Sequence, residues 1–587
     1  MDEKKKNTRF VLILNAVIAC LFLSGQYFTA TIGIKKIAFM AAIVLTLIAV
    51  LPALAYFIKP LNEAAGKTRK YLNSCIAYVK NNPVRVLKGV LLYAAAAAVG
   101  FVICLVYSRM QNRNFITPLF HMASALASIP VTVYLLRKHI GKKPELLFFA
   151  LIMTSGIFFI SASPTELGVT WDDEAHYERT LSMANLPSGV LYYADQELFM
   201  RQAETALEHF GYSESDRAER VEYLNQVYRD RVLVDYAYKG MGNYATLSYV
   251  PFAFGITMAR GLHLPFTMIF RFGRLVNLLT YAGLIVYAMS RLRFGKIIAG
   301  AVAMIPTMTF MGSTYSYDPF VVGMMIVGFS VFFSYLQNPQ AKMRNIDIAI
   351  ICVSFLLGCL PKAVYCVIML PLLFMPKDRF VSKQQHTLYI LSGCLTVGVL
   401  ASTFILPRIF GGMGTGDVRG GSEVDATAQT AYIKENPGKF LNVLWYFFTT
   451  TYLRPSNMPM YMENYAYLGV ALKNYATPLI LYAAAFLDRD GHRSKNLLIS
   501  LSSLAGVALG ILIVAFTFYL SYTPVGYHTV LGCQFRYMLP MVFPFLYTIG
   551  SDRLKNPLKP EVFNSVVFVY MTMSFIIYTG TQLVALF

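Results

Sequence analysis

One stretch of this sequence concentrates groups able to move a proton: Thr170, Trp171, Asp172, Asp173, Glu174, Ala175, His176 and Tyr177. Three adjacent carboxylates repel one another, so a fold that keeps them together must supply a proton, a metal or a cationic partner. A carboxylate of this kind can serve as a general base, taking the proton of an attacking hydroxyl that lies within hydrogen-bond reach. Asp172, Asp173 and Glu174 are the candidates for that role. Trp171, one of 2 tryptophans, suits an interfacial anchor or a platform for a sugar face. The competing reading is a solvated acidic loop in which none of the three does chemistry.

A second set of residues could answer those acids. Asp318 follows Ser313-Thr314-Tyr315-Ser316-Tyr317 and begins an otherwise uncharged apolar run. A carboxylate at a membrane rim is costly and is a functional candidate by default, although Asp before Pro319 also suits a helix cap. Lys362, in Leu360-Pro361-Lys362-Ala363, Arg271 and Arg274, and Arg536 beside Tyr537 all fall at the same side of the chain's apolar runs. Snorkelling to lipid phosphate is one use for such cations. The other is an anion site, since Arg offers a fork of donors to phosphate oxygens and Lys a point charge. Acids for a base and cations for a phosphate together describe a site for a lipid-phosphate sugar donor.

The elements that must position these groups are set by composition. Of 587 residues, 56% are hydrophobic and 14% charged, against roughly 25% charged in an ordinary soluble domain. Apolar runs long enough to span a bilayer recur, which excludes a soluble enzyme and predicts an all-α polytopic membrane protein. Fifteen transmembrane helices are expected near 10–28, 38–57, 86–107, 115–136, 146–162, 270–290, 297–312, 319–336, 346–359, 363–376, 387–406, 474–487, 496–520, 536–550 and 564–584. The first, after Met1 to Arg9, reads as a retained signal anchor. The formal charge of +20 lies in short Lys and Arg clusters such as Arg137-Lys138 with Lys142-Lys143, Arg291 to Lys296, Arg489 to Lys495 and Arg553 to Lys559. With the N-terminus inside, these clusters alternate onto the cytoplasmic side, so no nucleic-acid partner is expected. The 8 cysteines form no CxxC pair and indicate neither a disulfide framework nor a zinc site.

Two connections are long enough to do chemistry, and both fall outside. The first, 163–268, holds 15 acidic against 7 basic residues up to Ala245, nearly half of the 31 acids in the chain. Its middle, Gln196 to Asp235, has helical spacing with Ser213 and Ser215 at a second helix start, and 245–268 is expected to lie on the outer membrane surface. The second, 407–473, opens on a glycine-rich run from Gly411 to Gly421 before an amphipathic stretch from Phe440 to Tyr452. The chain therefore divides into N-terminal helices (1–145), a core with the first external loop (146–406), a second external loop (407–473) and C-terminal helices (474–587).

At these residues the sequence resembles the C-type (GT-C) glycosyltransferase superfamily, polytopic enzymes with an acidic motif in the first large external loop. More closely it is similar to a bacterial branch of polytopic membrane proteins grouped as a domain of unknown function, with an Asp-Glu-Pro-Ala-His signature. Asp172, Asp173, Glu174, Ala175 and His176 align with that signature without a gap, Asp173 standing for Glu and Glu174 for Pro. Shifted by one, Asp173-Glu174-Ala175 fits the broader Asp-Glu-Ala pattern, so either aspartate could be the base. The likeness continues through Arg274-Leu275-Val276-Asn277, Pro306, Ser316-Tyr317-Asp318, Pro361-Lys362 and Arg536-Tyr537-Met538-Leu539-Pro540, covering about 146–550.

The resemblance implies a GT-C-like fold and an inverting transfer of a sugar from a polyprenyl-phosphate donor to an envelope glycan or glycolipid, at the outer face of a bacterial plasma membrane. Asp172, Asp173, Glu174 and Asp318 would be catalytic. His176, Arg274, Lys362, Arg536, Tyr537 and Trp171 would bind substrate and phosphate. No cofactor is implied with certainty, and a divalent cation, Mg or Mn, is left open on Asp172, Asp173 and Asp318. The rival expectations are a lipid-linked polysaccharide polymerase or ligase, a transporter or flippase for lipid-linked glycans, and an assembly partner of other envelope proteins. Ionisable groups at the rim and the lack of an internal repeat favour an enzyme over a transporter.

Overall fold

The computed structural model describes residues 59–185, 189–202, 214–238, 244–410, 423–489, 491–492 and 496–586, with a few residues between 5 and 13. The expected spans 10–28 and 38–57 and the glycine-rich run 411–421 thus lie essentially outside the described residues. In chain order the helices are α1 (Lys59–Asn81), α2 (Pro83–Met110), α3 (Thr117–Leu136), α4 (Pro144–Ala162), α5 (Asp173–Ala184), α6 (Tyr193–Gln202), α7 (Glu214–Arg229), α8 (Val250–Gly261), α9 (Phe266–Arg291), α10 (Lys296–Ala303), α11 (Pro306–Gly312), α12 (Asp318–Gln337) and α13 (Asn345–Cys359). They continue as α14 (Lys383–Phe410), α15 (Ala426–Glu435), α16 (Pro437–Phe447), α17 (Met458–Met462), α18 (Ala476–Leu487), α19 (Leu497–Ser521), α20 (Leu539–Ile549) and α21 (Pro560–Ala585).

Among the described residues, nine helical segments are long and apolar enough to cross a membrane, and α18 is a shorter apolar helix. Among the expected spans that the described residues cover, those that depart from single long helices do so for physical reasons. The run 297–312 is not one rod: α10 ends at Ala303, Pro306 cannot donate to the preceding turn, and α11 starts afresh. The run 536–550 keeps only 11 helical residues, while the runs 346–359 and 363–376 are two helical arms that meet at Lys362, whose φ of −146° and ψ of 79° leave the helical region. The pair folds back on itself. The amide of Met343, before it, donates to the carbonyl of Arg379, after it, at 2.7 Å, and Gln385 Nε2 donates to Asn345 Oδ1 at 2.7 Å. Both ends therefore lie together, and Lys362 stands at the tip of a hairpin.

Burial sorts the bundle into layers. The apolar window of α12 is 83% buried, so this helix is the central post, whereas that of α2 is 17% buried. Val90, Val99, Phe101, Val102 and Val106 on α2 are exposed, a continuous apolar surface that a membrane protein turns toward lipid. α2 meets α3 closely: a Cβ at Gly100 would stand 2.6 Å from the backbone nitrogen of Ser124, so only glycine permits the approach. α10, α11 and α12 fill the middle with Met308, Phe310, Met311, Val322, Phe329 and Phe333.

The acidic first loop is folded, not merely solvated. α6 and α7 form the helical hairpin expected from their spacing, with α7 starting at Glu214. The described residues are all-α but for one small element: Val190–Tyr192 and Leu233–Asp235 pair as a two-stranded antiparallel ribbon, β1 and β2, with Leu191 opposite Val234. Strands of three residues are too short to leave a period-2 pattern in sequence. α8, within 245–268, has 12 residues and is too short to span a bilayer, which needs about 20.

Candidate functional site

The acidic cluster is separated by the start of α5. The chain leaves α4 at Ser163, turns through Gly168 at φ +83°, and reaches Asp172 in the left-handed region at φ 53°, ψ 26°. Asp and Asn tolerate that region better than other non-glycine residues. The carboxylate of Asp173 is fully buried and accepts from the amides of Gly168 at 2.8 Å, Val169 at 3.1 Å and Thr170 at 3.4 Å. It clasps the loop that precedes it. Burial pushes its pKa up to about 6, against the pull of those amides and of Arg274.

Asp172 points the other way. Its side chain is 34% exposed and Oδ2 accepts from Arg536 Nη2 at 2.8 Å. The left-handed turn at Asp172 thus sends adjacent carboxylates to opposite sides of the backbone, one into the protein and one to the rim. Glu174 lies partly exposed on the first turn of α5.

Arg536 is the centre of the arrangement. It is 6% exposed, and its Nη1 lies 3.7 Å from Asp318 Oδ2 while Nη2 serves Asp172 and the Tyr537 hydroxyl at 3.1 Å. Its guanidinium carbon lies 5.0 Å from the ring centroids of both Trp171 and Tyr537. Lys362, at the hairpin tip, reaches Asp318 Oδ1 at 3.4 Å and sits 4.0 Å from the Tyr537 ring centroid and 5.3 Å from that of Tyr317. Two carboxylates and two cations are therefore interleaved on an aromatic wall. Residues from the loop before α5, from α12, from the hairpin and from the segment before α20 meet there, although up to 364 positions separate Asp172 and Arg536 in sequence.

His176 lies one turn into α5, 6% exposed, its Nδ1 2.8 Å from the Tyr249 hydroxyl and its ring edge-on to Tyr317 at 5.1 Å. Burial, reinforced by Arg536, pushes its pKa down to about 3 and keeps the imidazole neutral. It underlies the rim as a packing and hydrogen-bonding partner of two tyrosines. Because its folded pKa lies below its unfolded value, His176 contributes stability that is present above about pH 6.5 and is lost as pH falls toward 3. The stability advantage of the native chain over His176→Gln, followed by thermal unfolding from pH 7 to pH 4, should therefore shrink; an advantage that grows on acidification would mean that His176 is charged in the fold.

Arg274 does not join the cluster that its sequence position suggested. It is 0% exposed, donates to Ser163 Oγ at 3.3 Å and to the Glu166 carbonyl at 3.2 Å, and lies over the Phe270 ring at 4.3 Å. It bolts α9 to the loop that Asp173 clasps, a positioning role beneath the site. The three aspartates proposed as ligands of a cation are likewise divided: Asp173 is spent on amides, and Asp172 and Asp318 converge on one guanidinium. Among the described residues no group of three or more His, Cys, Asp or Glu side chains is disposed to hold a metal ion. Asp172 and Asp318 share Arg536 as their balancing cation.

Several neighbours carry no sequence signal. Arg179, one turn beyond His176, approaches the Tyr249 hydroxyl at 3.5 Å. Tyr467, from the 407–473 connection, has its pKa raised by burial and then by the charges of Glu174, Asp172 and Asp173. Glu463 in the same loop is fully buried, accepting from Tyr465, Thr477, Asn474 at 3.0 Å and Ser574 at 2.8 Å, and burial raises its pKa. With the amide of Asn464 on Thr307 Oγ1 at 2.9 Å, this carboxylate ties the second loop to α11, α18 and α21.

Comparison with known proteins adds one match. The family model described as "Predicted membrane protein (DUF2142)" matches residues 153–544, a range that contains every residue of the interleaved cluster. No curated protein and no solved structure matches the chain.

Proposed function

This chain belongs to the DUF2142 family of membrane proteins, and on that premise we propose that it is a glycosyltransferase moving a sugar from a polyprenyl-phosphate donor to an envelope glycan or glycolipid. The observation that carries this reading is the sharing of Arg536 between Asp172 and Asp318, with Lys362 beside them. A general base and an anion site then occupy one rim, at the depth where a substrate can keep its polyprenyl tail in lipid.

In the proposed reaction Asp172 takes the proton of an acceptor hydroxyl as that oxygen bonds to the anomeric carbon. The bond from that carbon to the donor phosphate breaks, and the electron pair leaves with the phosphate, inverting the centre. Arg536 and Lys362 carry the charge that develops on the leaving oxygen, where preorganised donors are most valuable. Trp171, Tyr537 and Tyr317 provide ring faces for the sugar. In the absence of substrate the cations are held by Asp172 and Asp318, so donor phosphate enters by taking over their hydrogen bonds and releasing Asp172 as base. The site faces the outside of the bacterial plasma membrane in this reading.

The test is transfer by the purified chain in liposomes, given labelled polyprenyl-phosphate sugars and candidate envelope acceptors, with release of polyprenyl phosphate measured alongside glycosylated product. Equal amounts of the two support the proposal. Movement of intact donor across the bilayer without release of polyprenyl phosphate would replace it with a flippase.

A further inference from the structure

The end of the bundle remote from Asp172 holds a second assembly of charge. α4 runs from Pro144 at that end to Ala162 beside the clasped loop, about 28 Å at 1.5 Å per residue. Four short connections meet there: those before α4, between α9 and α10, after α18, and before α21. They enclose a cavity of about 290 Å³ whose wall carries Lys142, Arg293, Lys296, Arg489 and His492, with Asp488 the one acid among its described residues.

Three of the acids nearby are already engaged. Asp488 accepts from the amides of Ile297 at 2.7 Å and Ile298 at 2.9 Å, capping α10. Asp552 pairs with Arg489, whose second arm donates to the Tyr547 carbonyl. Glu145 lies 3.5 Å from Lys296. Glu561, exposed on α21, faces Gly141 at the cavity edge and forms no ion pair among the described residues. Among the described residues neither Lys142 nor Arg293 forms an ion pair, and Arg293 only grazes the Gln337 carbonyl at 3.4 Å. Arg489 is 1% exposed, so its charge is fixed in the wall. A cavity between helices whose described wall carries five basic side chains against one engaged acid favours an oxyanion, and basic pockets between transmembrane helices accept lipid headgroups.

We propose that this cavity is a phosphate-binding site, with Lys142 and Arg293 as its available donors, and that it takes the headgroup of an anionic phospholipid from the leaflet at that end. Free phosphate has the same chemistry, so the experiment separates the two sources. The full chain is reconstituted in phosphatidylcholine nanodiscs and its thermal unfolding followed as phosphatidylglycerol replaces part of the lipid, and separately as inorganic phosphate is added.

The unfolding temperature should rise with phosphatidylglycerol. The double variant Lys142→Gln/Arg293→Gln should need about tenfold more of it for the same rise, the consequence of losing about 1.4 kcal/mol of binding. Lys377→Gln, an exposed lysine elsewhere, should follow the native chain, and the charge-keeping Lys142→Arg/Arg293→Lys variant should retain the response, which separates binding from misfolding. A response to inorganic phosphate in neutral discs, lost in the double variant, would keep the site and assign it to free phosphate. No response to either, or the same response in native chain and double variant, overturns the proposal.

Discussion

Asp172→Asn is expected to lower sugar transfer by about 10²–10⁴-fold, the contribution of a positioned general base, while leaving the thermal unfolding temperature almost unchanged. Asn accepts the left-handed backbone of position 172, and its carbonyl oxygen can still take a hydrogen bond from Arg536. What it cannot do is remove a proton. Asp173→Ala should show the reverse emphasis. The amides of Gly168, Val169 and Thr170 would lose their acceptor, at about 1–3 kcal/mol for each one left unsatisfied.

Part of that cost is offset because a carboxylate whose pKa is pushed up to about 6 is itself expensive to bury in its charged form. The net effect is a chain less stable by a few kcal/mol whose transfer falls because the loop before α5 has loosened. Transfer and thermal unfolding measured side by side distinguish the two aspartates. If Asp172→Asn transfers sugar at the native rate and a well-folded Asp173 variant does not, the base is Asp173.

Arg536→Gln is expected to lose both stability and transfer. Removing one partner of a buried pair leaves an uncompensated charge, at about 3–5 kcal/mol. Here Asp318 keeps Lys362 at 3.4 Å and Asp172 keeps partial access to solvent, which places the effect at the lower end. Transfer should fall by about 10²–10³-fold, the loss that accompanies removal of one donor to a developing oxyanion. Arg536→Lys should recover stability better than transfer, since an ammonium restores the charge but not the fork that reaches Asp172 and Asp318 at once. The double variant Arg536→Gln/Asp318→Asn should be less destabilised than the sum of its two single variants, because the two residues share one interaction. Losses that simply add would show that Asp318 and Arg536 do not act as a pair.

Hydropathy alone was enough to locate the long spans, because a helix in lipid must be apolar over its whole length, and α2, α3, α4, α9, α12, α14, α19 and α21 lie where their apolar runs lie. It failed where the bundle is wide enough for helices to be buried by protein rather than lipid. The broken pair α10 and α11 is as apolar as a span, and only Pro306 marks the break. The site was legible in residue type and not in partnership. Charge against the topology rule singled out Lys362 and Arg536, which do meet. The same argument singled out Arg274, which a fully buried position turns inward instead.

Which of two adjacent aspartates faces the rim depends on one backbone dihedral, and no spacing rule reads that. Glu463 was missed because its partners Tyr465, Asn474, Thr477 and Ser574 come from its own loop, α18 and α21. In sequence it is a lone acid among aromatic residues.

The left-handed backbone at Asp172 sets two kinds of selection against each other. Positive φ in a non-glycine residue carries a conformational cost of order 1–3 kcal/mol, and glycine removes it. A library randomised at codon 172 and screened for thermal tolerance alone should drift toward glycine and asparagine. The same library screened for growth that requires the product should return aspartate. On the proposed reaction the strain at this position is kept for its carboxylate, and the divergence of the two screens at a single codon would measure how strongly that carboxylate is selected.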